Sequence, residues 1–198
     1  MCSSRTCSGK RDRTVSEVEL LLQQYGRLVG MPWSDRLSGA EKVWFVVYEP
    51  THERRLRLRL QEFQIITEKA GHGWKYVDLT DTFAQWMAGH RYRESYFKRP
   101  ELLTEAALSG FAAAAAQIIQ EALAGPDVDA HSVVAIGGLS SLFGIVRASE
   151  VLGQVVQAVP GRLLAFFPGR YENRIYRLLD ARDGWNYLAV PITAETQR

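Results

Sequence analysis

Three short runs of this chain are almost wholly apolar: Val43-Trp44-Phe45-Val46-Val47-Tyr48, Ser132-Val133-Val134-Ala135-Ile136 and Leu163-Leu164-Ala165-Phe166-Phe167. A strand with one face in water alternates polar and apolar residues. A run without alternation has to be covered on both faces. The β-branched and aromatic content favours strand over helix. The runs end at Glu49-Pro50, Gly137-Gly138 and Pro168-Gly169. Trp74 to Leu79 and Trp185 to Ile192 read as further strands, the second and the fifth in chain order. Strands alternating with helical stretches predict parallel βαβ units. The expected fold is therefore α/β: a doubly wound, mostly parallel sheet of about five strands, with helices on both faces.

The helical stretches have readable ends. Thr14-Val15-Ser16-Glu17 fits a capping box, followed by Val18, Leu21 and Leu22 at helical spacing. Thr51 opens a helix to about Ala70, with Gly71 as its stop. Within it, Arg55 to Leu60 alternates strictly and also fits a strand. Leu and Arg favour helix, which is the reading adopted. Thr80-Asp81 caps a short helix with Phe83 and Trp86. His90 to Arg99 reads as a surface connection. Pro100 suits the first turn of a helix that continues to Leu123, with a break at Ser109-Gly110. After Gly138 a helix carries Ile145, Val146, Val151, Leu152, Val155 and Val156. Pro168-Gly169 reads as a tight turn that ends the fourth strand.

Composition sets the outer bounds. The chain has 198 residues, 46% hydrophobic and 23% charged, with net charge +2. That suits one domain of ~100–200 residues and excludes a disordered or fibrous chain. Residues 1–13 are polar and read as a disordered arm; 14–198 form the single domain. Cys2 and Cys7 lie in that arm, too few for a disulfide framework or a zinc site. The arm has no apolar core of the kind a secretory signal needs, so the expected location is cytoplasmic. No run of ~18 apolar residues exists, so no membrane span is expected. The nearest approach, Leu108 to Leu123, contains Gln117, Gln120 and Glu121.

In open α/β sheets ligands bind at the carboxyl ends of strands. The candidate edge is therefore Glu49, Pro50, Asp78 to Asp81, Gly137, Gly138, Pro168, Gly169, Arg170 and Tyr171. Phosphate-binding chemistry is missing from it. The loop after the first strand, Glu49-Pro50-Thr51-His52, has no glycine, lacks an amide donor at Pro50 and carries a repelling carboxylate. No dinucleotide fingerprint follows any strand. His52-Glu53 begins like a zincin helix, but Leu56 stands where the second imidazole is needed. Ser140 and Ser141 lack a nucleophile elbow and read as helix caps. Asp78 and Asp81 are a weak carboxylate pair, with Asp81 reading as a cap. No catalytic residue, metal or cofactor is expected. Two stretches could meet a partner or nucleic acid: Arg54, Arg55, Arg57 and Arg59, and the His90–Arg99 segment with Arg91, Tyr92, Arg93 and Tyr96. Arg and Tyr are also enriched at protein interfaces, as Arg170 and Tyr171 would be after their turn.

Three segments together resemble the BrxB-like family, the B subunit of BREX bacteriophage-exclusion systems. They are Val43 to Pro50, Val134 to Val156 with Arg147, Ser149 and Leu152, and Leu164 to Tyr171 with its Phe-Phe-Pro-Gly-Arg-Tyr sequence. Gly153-Gln154 stands where that family commonly has Asn-Asn. The resemblance implies a small non-catalytic adaptor of a phage-defence complex, on a nucleotide-binding type of fold without its P-loop. Its implied partners are an alkaline-phosphatase-like protein, an AAA+ ATPase and a DNA methyltransferase. The alternatives are a nucleic-acid-binding module using the basic stretches, and an enzyme using Asp78, Asp81 and Arg170 with a metal or nucleotide.

Overall fold

A computed structural model describes residues 16–34, 36–37, 39–179 and 189–194. Among the described residues there are six strands: β1 (Val43–Tyr48), β2 (Gly73–Asp78), β3 (Ser132–Gly137), β4 (Arg162–Glu172), β5 (Ile175–Leu178) and β6 (Val190–Ile192). The sheet order is β2-β3-β4-β1-β6, all parallel, with β5 antiparallel to β4. The expected doubly wound α/β fold is the observed one. Position explains strand composition. β1 and β3 lie inside the sheet and every residue of each is buried. β2 lies at the edge with only Val77 buried, so it never needed an unbroken apolar run.

The two faces carry separate cores. Val43, Phe45, Val47, Val134, Ile136, Leu163, Ala165 and Phe167 face α6 (Glu105–Leu123) and α7 (Ala148–Gly153). Trp44, Val46, Val133, Ala135, Leu164 and Phe166 face α1 (Glu17–Val29) and α3 (Leu60–Lys69). α6 is the one described helix long and apolar enough, by length and composition, to cross a bilayer. Here its apolar face, including Phe111, Ala112, Ala115, Ile119 and Leu123, is buried in the first core.

Several expected boundaries move. Ser16 caps α1, its hydroxyl accepting from the Glu19 amide at 3.3 Å; Thr14 lies outside the described residues. The 51–70 stretch is helical but divided into a 3₁₀ turn at Pro50–His52, α2 (Glu53–Leu58) and α3, with a break at Arg59. Its strand-like alternation arises because Leu58, 80% exposed, is a surface leucine. His90 to Arg99 is not merely a connection: it follows α4 (Thr82–Gly89) and contains α5 (Arg93–Lys98). Pro100 opens a separate 3₁₀ turn, and Thr104 caps α6 by accepting from the Ala107 amide. α6 then runs unbroken through Ser109-Gly110. Between Gly138 and β4 the α-helix is α7; Ile145 and Val146 precede it.

The largest correction concerns Pro168-Gly169, which does not end β4. The strand runs eleven residues and changes partner there. Up to Tyr48↔Pro168 it pairs with β1, and from Gly169↔Leu178 it pairs with β5. A proline removes a ladder donor; this one sits where the ladder changes, and its carbonyl accepts from the Leu179 amide at 2.9 Å. A Cβ on Gly169 would lie 2.0 Å from the Arg177 carbonyl oxygen, so only glycine admits β5. Asn173 and Arg174 close the hairpin with φ of 53° and 64°. Two left-handed central residues are the signature of a type I′ turn. Of the expected fifth strand, Val190–Ile192 forms β6; Trp185 to Leu188 lies outside the described residues.

Candidate functional site

The chain leaves β1 toward the α1/α3 face and leaves β4 toward the other face, where β5 packs. The crevice between the carboxyl ends of β1 and β4 is thus the topological switch point, the place where such sheets bind ligands. Glu49 and Pro50 follow β1, and β4 changes partner at Pro168 and Gly169. Gly137 and Gly138 follow β3, the next strand over.

The chain's own polar groups fill this edge. The Tyr48 hydroxyl donates to Glu53. Arg57 Nε donates to Glu53 Oε1 at 2.7 Å, and Arg57 Nη2 donates to Thr80 Oγ1 at 2.7 Å. Arg57 Nη1 lies 3.6 Å from Asp78 Oδ2, and Asp78 Oδ1 accepts from the Thr80 amide at 2.9 Å. Glu17 accepts from the Glu49 amide at 3.2 Å and joins His52 Nδ1, tying α1 to the loop after β1. Burial, reinforced by Glu53, raises the Tyr48 hydroxyl pKa. Burial also pushes Tyr76 up to about 12, with the Asp78 charge adding to it. The hydrogen bond to Glu53 holds Arg57 more firmly charged.

The two glycines serve this packing. A Cβ on Gly137 would lie 2.0 Å from the Tyr76 hydroxyl. Gly138, at φ +76°, lets the Asp78–Thr80 turn approach; a Cβ there would be 2.6 Å from the Thr80 amide. Asp78 is thereby committed to Thr80 and Arg57. Asp81 sits at the start of α4 without a side-chain capping bond. Among the described residues no group of three or more His, Cys, Asp or Glu could hold a metal. Ser141 does not cap a helix. Its hydroxyl lies 2.9 Å from the Leu79 carbonyl oxygen and 2.7 Å from that of Gly138, stitching the loops after β2 and β3.

The basic stretches divide by role. Arg59 pairs with Glu62 at 2.5 and 2.6 Å, and Arg57 belongs to the network above. Of the first stretch, Arg54 and Arg55 are left on the exposed surface. In the second, Arg93 Nη1 donates to the Ala88 carbonyl at 2.8 Å and closes the end of α4. Tyr96 is half-buried in a ring cluster, 5.1 Å from His90, which lies 4.9 Å from Trp86. Arg91 stacks 4.5 Å over the Tyr92 ring. Tyr92 is 48% exposed and Phe97 66% exposed, with Leu102 also exposed beyond α5. A loop reading hides Phe97, because only helical spacing turns it outward away from Tyr96.

α6 is 19 residues, ~28 Å at 1.5 Å per residue, against ~20 Å for a six-residue strand. Its end connects to Asp127, which pairs with Lys75 of β2 at 2.7 Å. α5 and the Pro100–Leu102 turn precede its start. Arg170 and Tyr171 lie on a different element, the β4–β5 hairpin. Arg170 is exposed, while Tyr171 is half-buried with its ring 4.5 Å from that of Tyr176.

No protein-family model, curated protein or solved structure matches the chain significantly. The fold and the edge define a doubly wound α/β protein whose carboxyl edge carries a Tyr48–Glu53–Arg57–Thr80–Asp78 network reaching from β1 to the end of β2.

Proposed function

We propose that this chain is a partner-binding adaptor without catalytic activity of its own, docking through the rim formed by α5 and the Pro100–Leu102 turn. The observation that carries the reading is the exposure of Phe97, Tyr92 and Leu102 together on that rim. Large apolar side chains left exposed within one short segment mark interaction surfaces, and aromatic and Arg anchors dominate their energetics. The pairing of Tyr48, Glu53, Arg57, Thr80 and Asp78 with one another supports it, since these polar groups of the carboxyl edge are engaged within the chain. The resemblance to the BrxB-like family supplies the partners: the phosphatase-like protein and the AAA+ ATPase of a BREX-type complex, with the DNA methyltransferase as a third, in the cytoplasm.

Affinity purification of the tagged chain from its native host, followed by mass spectrometry, tests this. The phosphatase-like protein or the ATPase should be recovered with the wild-type chain. Phe97→Asp should reduce that recovery by about tenfold or more, with unchanged thermal unfolding because Phe97 supports no core. A chain recovered alone after gentle low-salt lysis overturns the reading. So does Phe97→Asp recovering its partners in full.

A further inference from the structure

We infer that the β4–β5 hairpin is a phosphodiester-binding element that lies against the backbone of duplex nucleic acid. The inference is independent of the adaptor reading and uses a different surface.

Two choices in this hairpin are locally unfavourable, and both add positive charge. Arg170 and Arg177 are direct cross-strand partners, and both are exposed. Directly opposed side chains on one face have Cβ atoms ~5 Å apart, where like charges are destabilising. Arg174 occupies a left-handed turn position at φ 64°. Glycine or asparagine takes that conformation freely, whereas a long side chain there is strained. Sites where local preferences are violated are where function is expected. None of the three arginines has an ion-pair partner among the described residues. The one carboxylate on the ribbon, Glu172, stands opposite Ile175 on the same face as Arg170 and Arg177.

The ribbon is held firmly. Its other face carries Tyr171, Tyr176 and Leu178. The Tyr176 ring packs edge-on against Phe45 at 4.7 Å, and its hydroxyl donates to the Ala189 carbonyl at 2.8 Å. A rigid two-stranded ribbon fits the dimensions of a duplex groove and its flanking backbone. Guanidinium forks bind phosphate in bidentate fashion. An acidic protein segment would satisfy the same charges. However, protein interfaces centre on desolvated apolar anchors, and the charged face offers only half-buried Ile175. Exposed aromatic side chains lie elsewhere, Tyr92 and Phe97 among them on the α5 rim.

The test is fluorescence anisotropy of labelled DNA and RNA duplexes titrated with the full chain between ~50 and ~200 mM salt. Wild type should bind at the low end, with log Kobs falling linearly against log salt. Arg170→Gln/Arg177→Gln should lower the slope by ~1.8, at ~0.9 per lost phosphate contact. Arg170→Lys/Arg177→Lys should keep the slope, which separates charge loss from misfolding. The DNA and RNA arms show which duplex supplies the phosphates. A wild-type chain that binds neither duplex overturns the inference. So does an unchanged slope in the Gln variant, or preferential capture of a labelled oligoglutamate.

Discussion

Tyr25 and Thr67 join α1 to α3 through one buried hydrogen bond, and its polarity can be worked out. The Thr67 hydroxyl donates to the Phe63 carbonyl at 2.8 Å, which uses its only proton. Tyr25 must therefore donate to Thr67, and burial raises the Tyr25 pKa so that it keeps that proton. The two deletions should then differ. Tyr25→Phe removes the bond but leaves no buried donor unsatisfied, costing about 1 kcal/mol. Thr67→Val strands the Tyr25 hydroxyl without an acceptor and should cost more, ~1–3 kcal/mol. In the double variant the loss should be smaller than the sum, because one bond cannot be lost twice. Urea unfolding at constant m-value measures all three. Pairings of this kind, 42 residues apart, are invisible until the helices are placed. The same holds for Arg162, which looks like a surface residue preceding a strand. It is buried, its guanidinium 4.5 Å over Trp33 and 5.8 Å from Trp44, with Nη1 donating to the Gly161 carbonyl.

At the level of elements the hairpin responds to single changes in opposite directions. Arg174→Gly should relieve the left-handed turn position and stabilise the chain by about 1 kcal/mol. Gly169→Ala should do the opposite, because its Cβ would drive Arg177 away and open the ribbon; overpacking of that order costs ~1–3 kcal/mol. Thermal unfolding gives the sign of each. Amide exchange of β5 residues gives the location, faster in Gly169→Ala and slower in Arg174→Gly. The hairpin was also the element least legible in the sequence. Pro168-Gly169 has the chemistry of a strand stop, and only the approach of β5 turns it into a change of partner. Asn173-Arg174 lacks the glycine that marks most type I′ turns. The interior strands were legible because burial on both faces leaves an unbroken apolar run, as in Val43 to Tyr48. α5 was not, since six residues with no buried member carry no periodic signal. The candidate edge was half legible. Glu49, Pro50, Gly137 and Gly138 follow from strand ends, but the network from Tyr48 through Glu53 and Arg57 to Asp78 depends on strand order.

Across the whole molecule, tyrosines tie the polar edge to both cores. Tyr25 and Tyr48 belong to the core under α1 and α3, Tyr176 belongs to the opposite one, and Tyr76 lines the edge beside Gly137. All four have raised pKa values with burial as the largest cause, Tyr76 at about 12 and the other three higher. The sign of the linkage follows. The unfolded chain ionises its tyrosines near the ordinary value of ~10, while the folded chain resists. Below pH ~10 both states hold the protons and the contribution of these hydroxyls to stability is fully present. As pH rises past ~10 the unfolded state sheds protons first, so stability falls until the folded pKa values are reached. For Tyr76 alone that window closes near 12; with three higher groups coupled to the same packing, the fold should give way as one unit inside it. Tyrosinate absorbance and far-ultraviolet circular dichroism, followed together in an alkaline titration, report this directly. The tyrosinate signal of the buried rings and the loss of dichroism should rise in a single step above pH ~10. Tyr76→Phe should move that step to higher pH by removing one of the ionisations that drives it. Complete tyrosine ionisation ahead of any loss of dichroism would mean that these four hydroxyls are open to solvent. In that case the Tyr48–Glu53 hydrogen bond at the carboxyl edge would be open to exchange with water as well.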